Sequence, residues 1–190
     1  MSIGAIAMSG LFFLSLQSIN QIELKYAQTR DTAIAGRILA LDITKNINYF
    51  SRLTRNIMLG SDIGKDLKQI DTTIMTVKKH FATLSSLNLP AESKNLTEKA
   101  HKAAIAFMSN GQSLVSPLVE VPVEQRHLAY KTYEKDATPY AVAFREHFEK
   151  FDANITILAE TAMADLNKDI ASRRTVMWFE FVFAICLVYC

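Results

Sequence analysis

NINYFSRLTRNIMLG, residues 46–60, decides how the chain folds. At about 100° per residue, Ile47, Phe50, Leu53 and Ile57 fall on one side of a helix, and Leu39 and Ile43 carry the same stripe upstream. That side is the core face of an amphipathic helix. A second stripe, at the same alternating spacing of three and four, runs through Ile34, Ile38, Leu41, Lys45, Asn48, Arg52 and Arg55 on the side turned from the core. Its character changes halfway. Ile34, Ile38 and Leu41 are apolar, whereas Lys45, Asn48, Arg52 and Arg55 are polar and cationic. Arginines on an outer helix face are ordinarily solvated, but an apolar run on the same stripe points to association with a further helix. The stripe reads as a contact surface that opens into a binding site.

Working outward, the chain has 190 residues, enough for one domain, and is 49% hydrophobic with a mean hydropathy of +0.10. The apolar excess lies at the two ends. Residues 2–22 carry no charge, and residues 176–190 carry only Glu180. A membrane-spanning helix needs about 20 apolar residues, so the first stretch is long enough and the second runs off the end of the sequence. Trp178, Phe179, Phe181 and Phe183 behind Arg173 and Arg174 fit an interfacial belt. The first stretch lacks the basic start and small-residue cleavage site of a signal peptide. The expected layout is a membrane helix over residues 1–22, a helical domain over 23–174 and a second membrane helix over 175–190, the whole a fragment cut inside or beside both spans.

Between the spans the expectation is all-α, an antiparallel up-down-up-down four-helix bundle continuous with two transmembrane helices. Helix one covers residues 23–59, ended by Gly60 and followed by Ser61 or Asp62 as the next cap. Helix two, with Leu67, Ile70, Ile74, Val77, Phe81 and Leu84 on its seam, runs to Leu87 and is broken by Asn88-Leu89-Pro90. Helix three carries Leu96, Ala100, Ala103, Phe107 and Leu114 to a stop at Ser116-Pro117. A short distal helix over residues 122–136 precedes helix four. That last helix opens at Thr138-Pro139, an N-cap with proline in the first turn, and buries Phe144, Phe148, Phe151, Ile155, Leu158, Ala162 and Leu166. Short connections make successive helices antiparallel neighbours.

Catalytic chemistry is not expected. Glu98/His101 and Glu124/His127 have the Glu-x-x-His spacing of bundle di-iron sites, but the first pair falls off the helix-three seam and the second lies in the distal segment. His80 and His147 have no partner at ligand spacing, so no metal and no cofactor is expected. Six glycines leave little irregular backbone, and no phosphate loop or nucleophile elbow occurs. The sequons at Asn95 and Asn154 are read as chance, because Leu96 and Ile155 are core positions. Cys186 and Cys190, four apart in the last span, suit neither a mutual disulfide nor a metal. A formal charge of +2, spread along the chain, does not indicate nucleic acid. What remains is an anion site. Arg52 and Arg55 lie near the height at which Thr138-Pro139 opens helix four, and guanidiniums beside a helix N-terminus suit a small carboxylate or other anion, with Tyr49, Asn56 and Tyr140 supplying polar contacts.

Span, four antiparallel helices and second span, with Leu41-Asp42-Ile43 and the segment from Asn48 to Gly60 in helix one, resembles the sensor half of a bacterial methyl-accepting chemotaxis receptor. The resemblance implies a homodimer in the bacterial inner membrane, residues 23–174 in the periplasm, and ligand held at the dimer interface. It further implies a piston-like shift of helix four carried through the second span to cytoplasmic signalling partners that act only through an absent C-terminal part. Arginines of helix one from both subunits and a threonine at the start of helix four hold the ligand in amino-acid-sensing members. Arg52, Arg55 and Thr138 are the corresponding positions, and Ile34, Ile38, Leu41, Lys45 and Asn48 form the dimer contact. The input domain of a sensor histidine kinase and a membrane-anchored, partner-binding structural bundle stay open as alternatives.

Overall fold

The computed structural model describes the backbone of residues 2–189 and the side-chain surroundings of residues 17–179 and 182, except 19 and 25. It is all-α, with no strand among the described residues. Five α-helices, α1 (Ser2–Met58), α2 (Ile63–Ser86), α3 (Ala91–Val115), α4 (Tyr130–Asp136) and α5 (Thr138–Tyr189), are joined by short links. Residues 116–129 supply two 3₁₀ segments, Ser116–Glu120 and Val123–Ala129. The chain divides into two compact units, residues 34–155 and residues 1–33 with 156–190.

Residues 34–155 hold the main core. Ile43, Ile47, Phe50, Leu53 and Ile57 of α1 are buried, as their spacing requires, and Leu39 is half-buried at the edge. Ile70, Val77, Phe81 and Leu84 come from α2, Ala100, Ala104, Phe107 and Met108 from α3, and Phe144, Phe148, Phe151 and Ile155 from α5. Aromatic rings tie these helices across the core, Phe50 to Phe107 at 5.3 Å and Phe81 to Phe148 at 5.7 Å between centroids, both edge to face. Pairwise contacts fix the directions. Tyr49 meets Gln69 while Gly36 faces Leu84, so α1 and α2 run opposite ways. Gln112 meets Asp71 and His101 stacks on Phe81, which makes α2 and α3 antiparallel. Thr54 meets Tyr133, just before α5, and Arg37 pairs with Asp152 at 2.9 Å, so α5 runs back along α1.

Local chemistry explains the ends. Gly60 has φ of 95°, the left-handed region, with Gly60 N–H donating to the Ile57 carbonyl and Ser61 N–H to that of Asn56, a Schellman close to α1. Asp62 then caps α2 by accepting from the Lys65 amide at 3.1 Å.

Three expectations need correction. The helix-three seam is shifted at its ends: Ala100, Ala103 and Phe107 are buried as expected, but Leu96 and Leu114 are only half-buried, while Thr97, Ala104, Met108, Gly111 and Val115 are buried, Gly111 letting Phe50 approach the α3 backbone. Residues 122–136 are not one helix. Val123–Ala129 is 3₁₀ and only Tyr130–Asp136 is α; the buried Arg126 donates from Nε to the Val121 carbonyl and from Nη1 to that of Ser61, pinning the tighter segment to the α1–α2 turn. Thr138 is the first residue of α5 rather than its cap, and its hydroxyl donates towards the Tyr133 carbonyl at 3.5 Å. Only Ala137 separates α4 from α5, and the Ala137 and Tyr140 amides are taken up by the Tyr133 and Ala137 carbonyls.

The other unit pairs the remaining stretches of α1 and α5. Tyr26 Oη donates to Asp169 Oδ2 at 3.1 Å, and Ala33 and Ala162 are buried. Most side chains of the expected membrane spans, residues 1–22 and 175–190, lie outside the described residues. Among those described, no helix is long and apolar enough to cross a membrane.

Candidate ligand groove on α1

The outer stripe of α1 is uncovered. Ile34, Ile38 and Leu41 are 49%, 55% and 63% exposed, and Leu59, which falls on the same line beyond Arg55, is 80% exposed. Between these apolar ends Lys45, Asn46, Asn48, Tyr49, Arg52 and Arg55 line a shallow groove of about 630 Å³. Helical periodicity alone gathers them, since steps of three and four residues return to one face.

The groove is cationic and held in shape. Tyr49 is anchored from the neighbouring helix, its hydroxyl donating to Gln69 Oε1 at 2.7 Å. Over that fixed ring lies the Arg52 guanidinium, 4.9 Å from its centroid, a cation–π contact that restricts the side chain without neutralising it. Arg55 folds back one turn, donating from Nε to the Ser51 carbonyl at 3.1 Å and from Nη2 to Ser51 Oγ at 3.4 Å. Neither arginine nor Lys45 forms an ion pair among the described residues. Three cations thus share a surface on which no carboxylate answers them, and Coulomb repulsion between them is reduced only by solvent and salt.

The field of this groove reaches inward. Burial pushes the Tyr133 phenol above its ordinary range, while hydrogen bonds with Thr54 and Ser51 and the charge of Arg55 pull the other way. Thr54, fully buried, donates from Oγ1 to Tyr133 Oη at 3.0 Å, and Tyr133 packs its ring 6.2 Å from Phe107. Ser51 therefore stands between the outer arginine and a buried tyrosine that leads into α5.

Of the residues expected at the site, Arg52, Arg55 and Tyr49 come together with Lys45 and Asn48. Asn56, Thr138 and Tyr140 are not among the walls of the groove. Asn56 is half-buried, with its carbonyl closing the α1 turn, Thr138 faces the Tyr133 carbonyl, and Tyr140 is exposed on α5. Sequence reasoning missed Ser51 and Gln69 as supports. Ser51 was legible from its position four residues before Arg55, one helical turn; Gln69 was not, because its contact crosses between helices. A second cleft, about 560 Å³, lies between α1 and α5, floored by Ile47, Phe107, Phe144 and Phe148 and bordered by Asn48, so it adjoins the groove. The two Glu-x-x-His pairs gather no metal site: Glu98 is exposed and its carboxyl is held low by Lys102, its salt-bridge partner at 2.7 Å, and no metal-binding cluster occurs among the described residues. No protein-family model, curated protein or solved structure matches the chain.

Proposed function

We propose that this chain is the ligand-sensing and signalling module of a membrane receptor of the chemotaxis kind, which binds a small anion or organic acid between two copies of itself. The observation that carries the reading is the α1 face: Lys45, Arg52 and Arg55 without an ion-pair partner among the described residues, between exposed Ile34, Ile38 and Leu41 on one side and Leu59 on the other. Apolar residues give a second copy a reason to dock along the stripe, and docking brings the cations of both copies to one place. The anion neutralises charges that otherwise repel.

In this reading residues 1–22 and 175–190 hold the chain in a bacterial inner membrane with residues 23–174 in the periplasm, and the bundle continues into both spans. Ligand binding draws on Ser51, Thr54 and Tyr133 to shift α5, which passes the change to a cytoplasmic signalling domain. The test is association. A few apolar residues make a small interface, so residues 24–173 expressed alone dimerise at micromolar concentration or weaker, and more tightly with a bound anion. Sedimentation equilibrium reads this directly. A domain that stays monomeric at high concentration, with and without a panel of organic acids, contradicts the interface.

A further inference from the structure

The cleft between α1 and α5 has a chemistry different from that of the groove beside it. Its volume of about 560 Å³ falls in the range of small-molecule pockets, and every residue lining it lies within residues 34–155. The floor is apolar, and in it the Phe144 and Phe148 rings stand 4.6 Å apart, tilted by 41°. Ala40 on α1 and Ala141 and Ala153 on α5 are the small side chains that leave the space between the helices open. At one end Asp152, a wall residue, is paired with Arg37 at 2.9 Å. Counting the same number of residues from that pair along the two antiparallel helices brings Thr44 to about the height of Arg145.

The α1 wall offers neutral polar groups that the fold does not use. Elsewhere Thr73, Thr76 and Thr97 donate their hydroxyls, and Asn46 and Asn110 their amides, to the carbonyl four residues back. The Thr44 hydroxyl and the Asn48 side-chain amide, on successive turns of the cleft wall, have no hydrogen-bond partner among the described residues. On the α5 wall Arg145 and Glu149 stand one turn apart, and neither forms an ion pair among the described residues. A cation one turn N-terminal to an acid is the weaker order for such a pair. Both are exposed, so water and salt weaken what either offers a ligand. Their charges also oppose each other: a carboxylate drawn to Arg145 is met by Glu149, and an ammonium drawn to Glu149 is met by Arg145. A molecule without charge meets neither repulsion and loses little hydration on an apolar floor.

We infer that this cleft binds a small aromatic molecule of no net charge that carries a hydroxyl or amide group, its ring on Phe144 and Phe148 and its polar group on Thr44 and Asn48. The groove and the cleft then sort ligands by charge, with Asn48 bordering both. The inference does not depend on the receptor reading, since the cleft is complete in one copy of the chain.

The probe is 4-fluorophenol, uncharged at about pH 7, titrated against the whole chain in detergent and followed by fluorine NMR, with protein-free detergent as the blank. The expected result is saturable broadening beyond the blank. Ala141→Leu/Ala153→Leu, which fills the cleft from its α5 wall, removes the saturable part. Thr44→Val keeps the shape of the side chain and weakens 4-fluorophenol roughly fivefold, the loss of one hydrogen bond, while the weaker binding of fluorobenzene is unchanged and shows the fold intact. Broadening equal to the blank overturns the inference, as does saturable binding that the double leucine variant retains. Equal affinity of Thr44→Val and the wild type for 4-fluorophenol removes the polar wall and overturns it too. Tighter binding of 4-fluorobenzoate or 4-fluorophenylalanine than of 4-fluorophenol, lost in the leucine variant, assigns the cleft to organic acids or zwitterions and also overturns it.

Discussion

Gly111 of α3 is buried against Phe50, and a Cβ placed there would stand 2.9 Å from Phe50 Cε1 and 3.3 Å from Tyr133 Cε2. An interior helix glycine ordinarily costs about 1 kcal/mol relative to alanine, so helix propensity alone favours Gly111→Ala. Packing wins here, because both rings belong to the core and neither is the loose end of a flexible side chain. Gly111→Ala is expected to lower unfolding stability by about 1–3 kcal/mol, seen as a lower denaturant midpoint; an unchanged or raised midpoint contradicts the close approach. His101 gives a second test. It stacks on Phe81 at 4.6 Å, and burial, with Lys78 nearby, holds its imidazole below the ordinary histidine range. The unfolded chain then binds more protons than the folded one just below the ordinary value of about 6.5, so this contribution is complete above that pH and is lost as pH falls further. His101→Phe keeps the ring and removes the proton. Its melting midpoint is expected to fall less than the wild type's between about pH 7 and pH 5, and an unaltered pH slope denies that His101 contributes. The burial of Phe50 was legible from its periodicity, whereas its fit to Gly111 was not, since that contact joins residues far apart in sequence.

At the level of elements, the α1–α2 turn and the start of α5 at Thr138 were legible because glycine, aspartate and proline act locally: Gly60 adopts positive φ, Asp62 caps, and the chain restarts beside Pro139. The 3₁₀ segments were not, because buried Arg126 holds Val123–Ala129 through the carbonyls of Val121 and Ser61, a long-range contact without periodicity. The same logic separates the two stripes of α1. Both have helical spacing, and what tells them apart is that one changes from apolar to cationic partway along. Signalling in the proposed receptor needs α5 to act as one piece, and it is a single helix over Thr138–Tyr189. A Gly-Gly insertion after Asn167 weakens helical coupling at a point outside residues 34–155, since each interior glycine costs about 1 kcal/mol and the register changes. In the proposed receptor this variant is expected to retain ligand binding and lose output. Full output in the presence of the insertion removes α5 as the carrier.

For the whole molecule, the central claim is that two copies meet along α1 and place Lys45, Arg52 and Arg55 of each around one anion. The all-α architecture and the alternating helix directions were legible from periodicity and short links. Arg52, Arg55 and Tyr49 of the expected ligand site and Lys45 and Asn48 of the expected contact stripe share one helix, so their convergence in one groove follows from spacing alone. Thr138 and Tyr140 depended on how α5 begins, which Tyr133 and Ala137 settle through bonds that no sequence pattern marks. The most direct measurement is the thermal midpoint of residues 24–173 across organic acids, amino acids and inorganic anions, for the wild type, Arg52→Ala and Arg30→Ala. Arg30 lies further down the same helix and pairs with Asp31 at 3.1 Å, so it controls for loss of charge. The account expects at least one anion to raise the midpoint, by the equivalent of about 2.7 kcal/mol at a hundred times its dissociation constant. Arg52→Ala abolishes that rise and Arg30→Ala preserves it. A confirmed ligand that stabilises Arg52→Ala as strongly as the wild type contradicts the account and places binding elsewhere in the bundle.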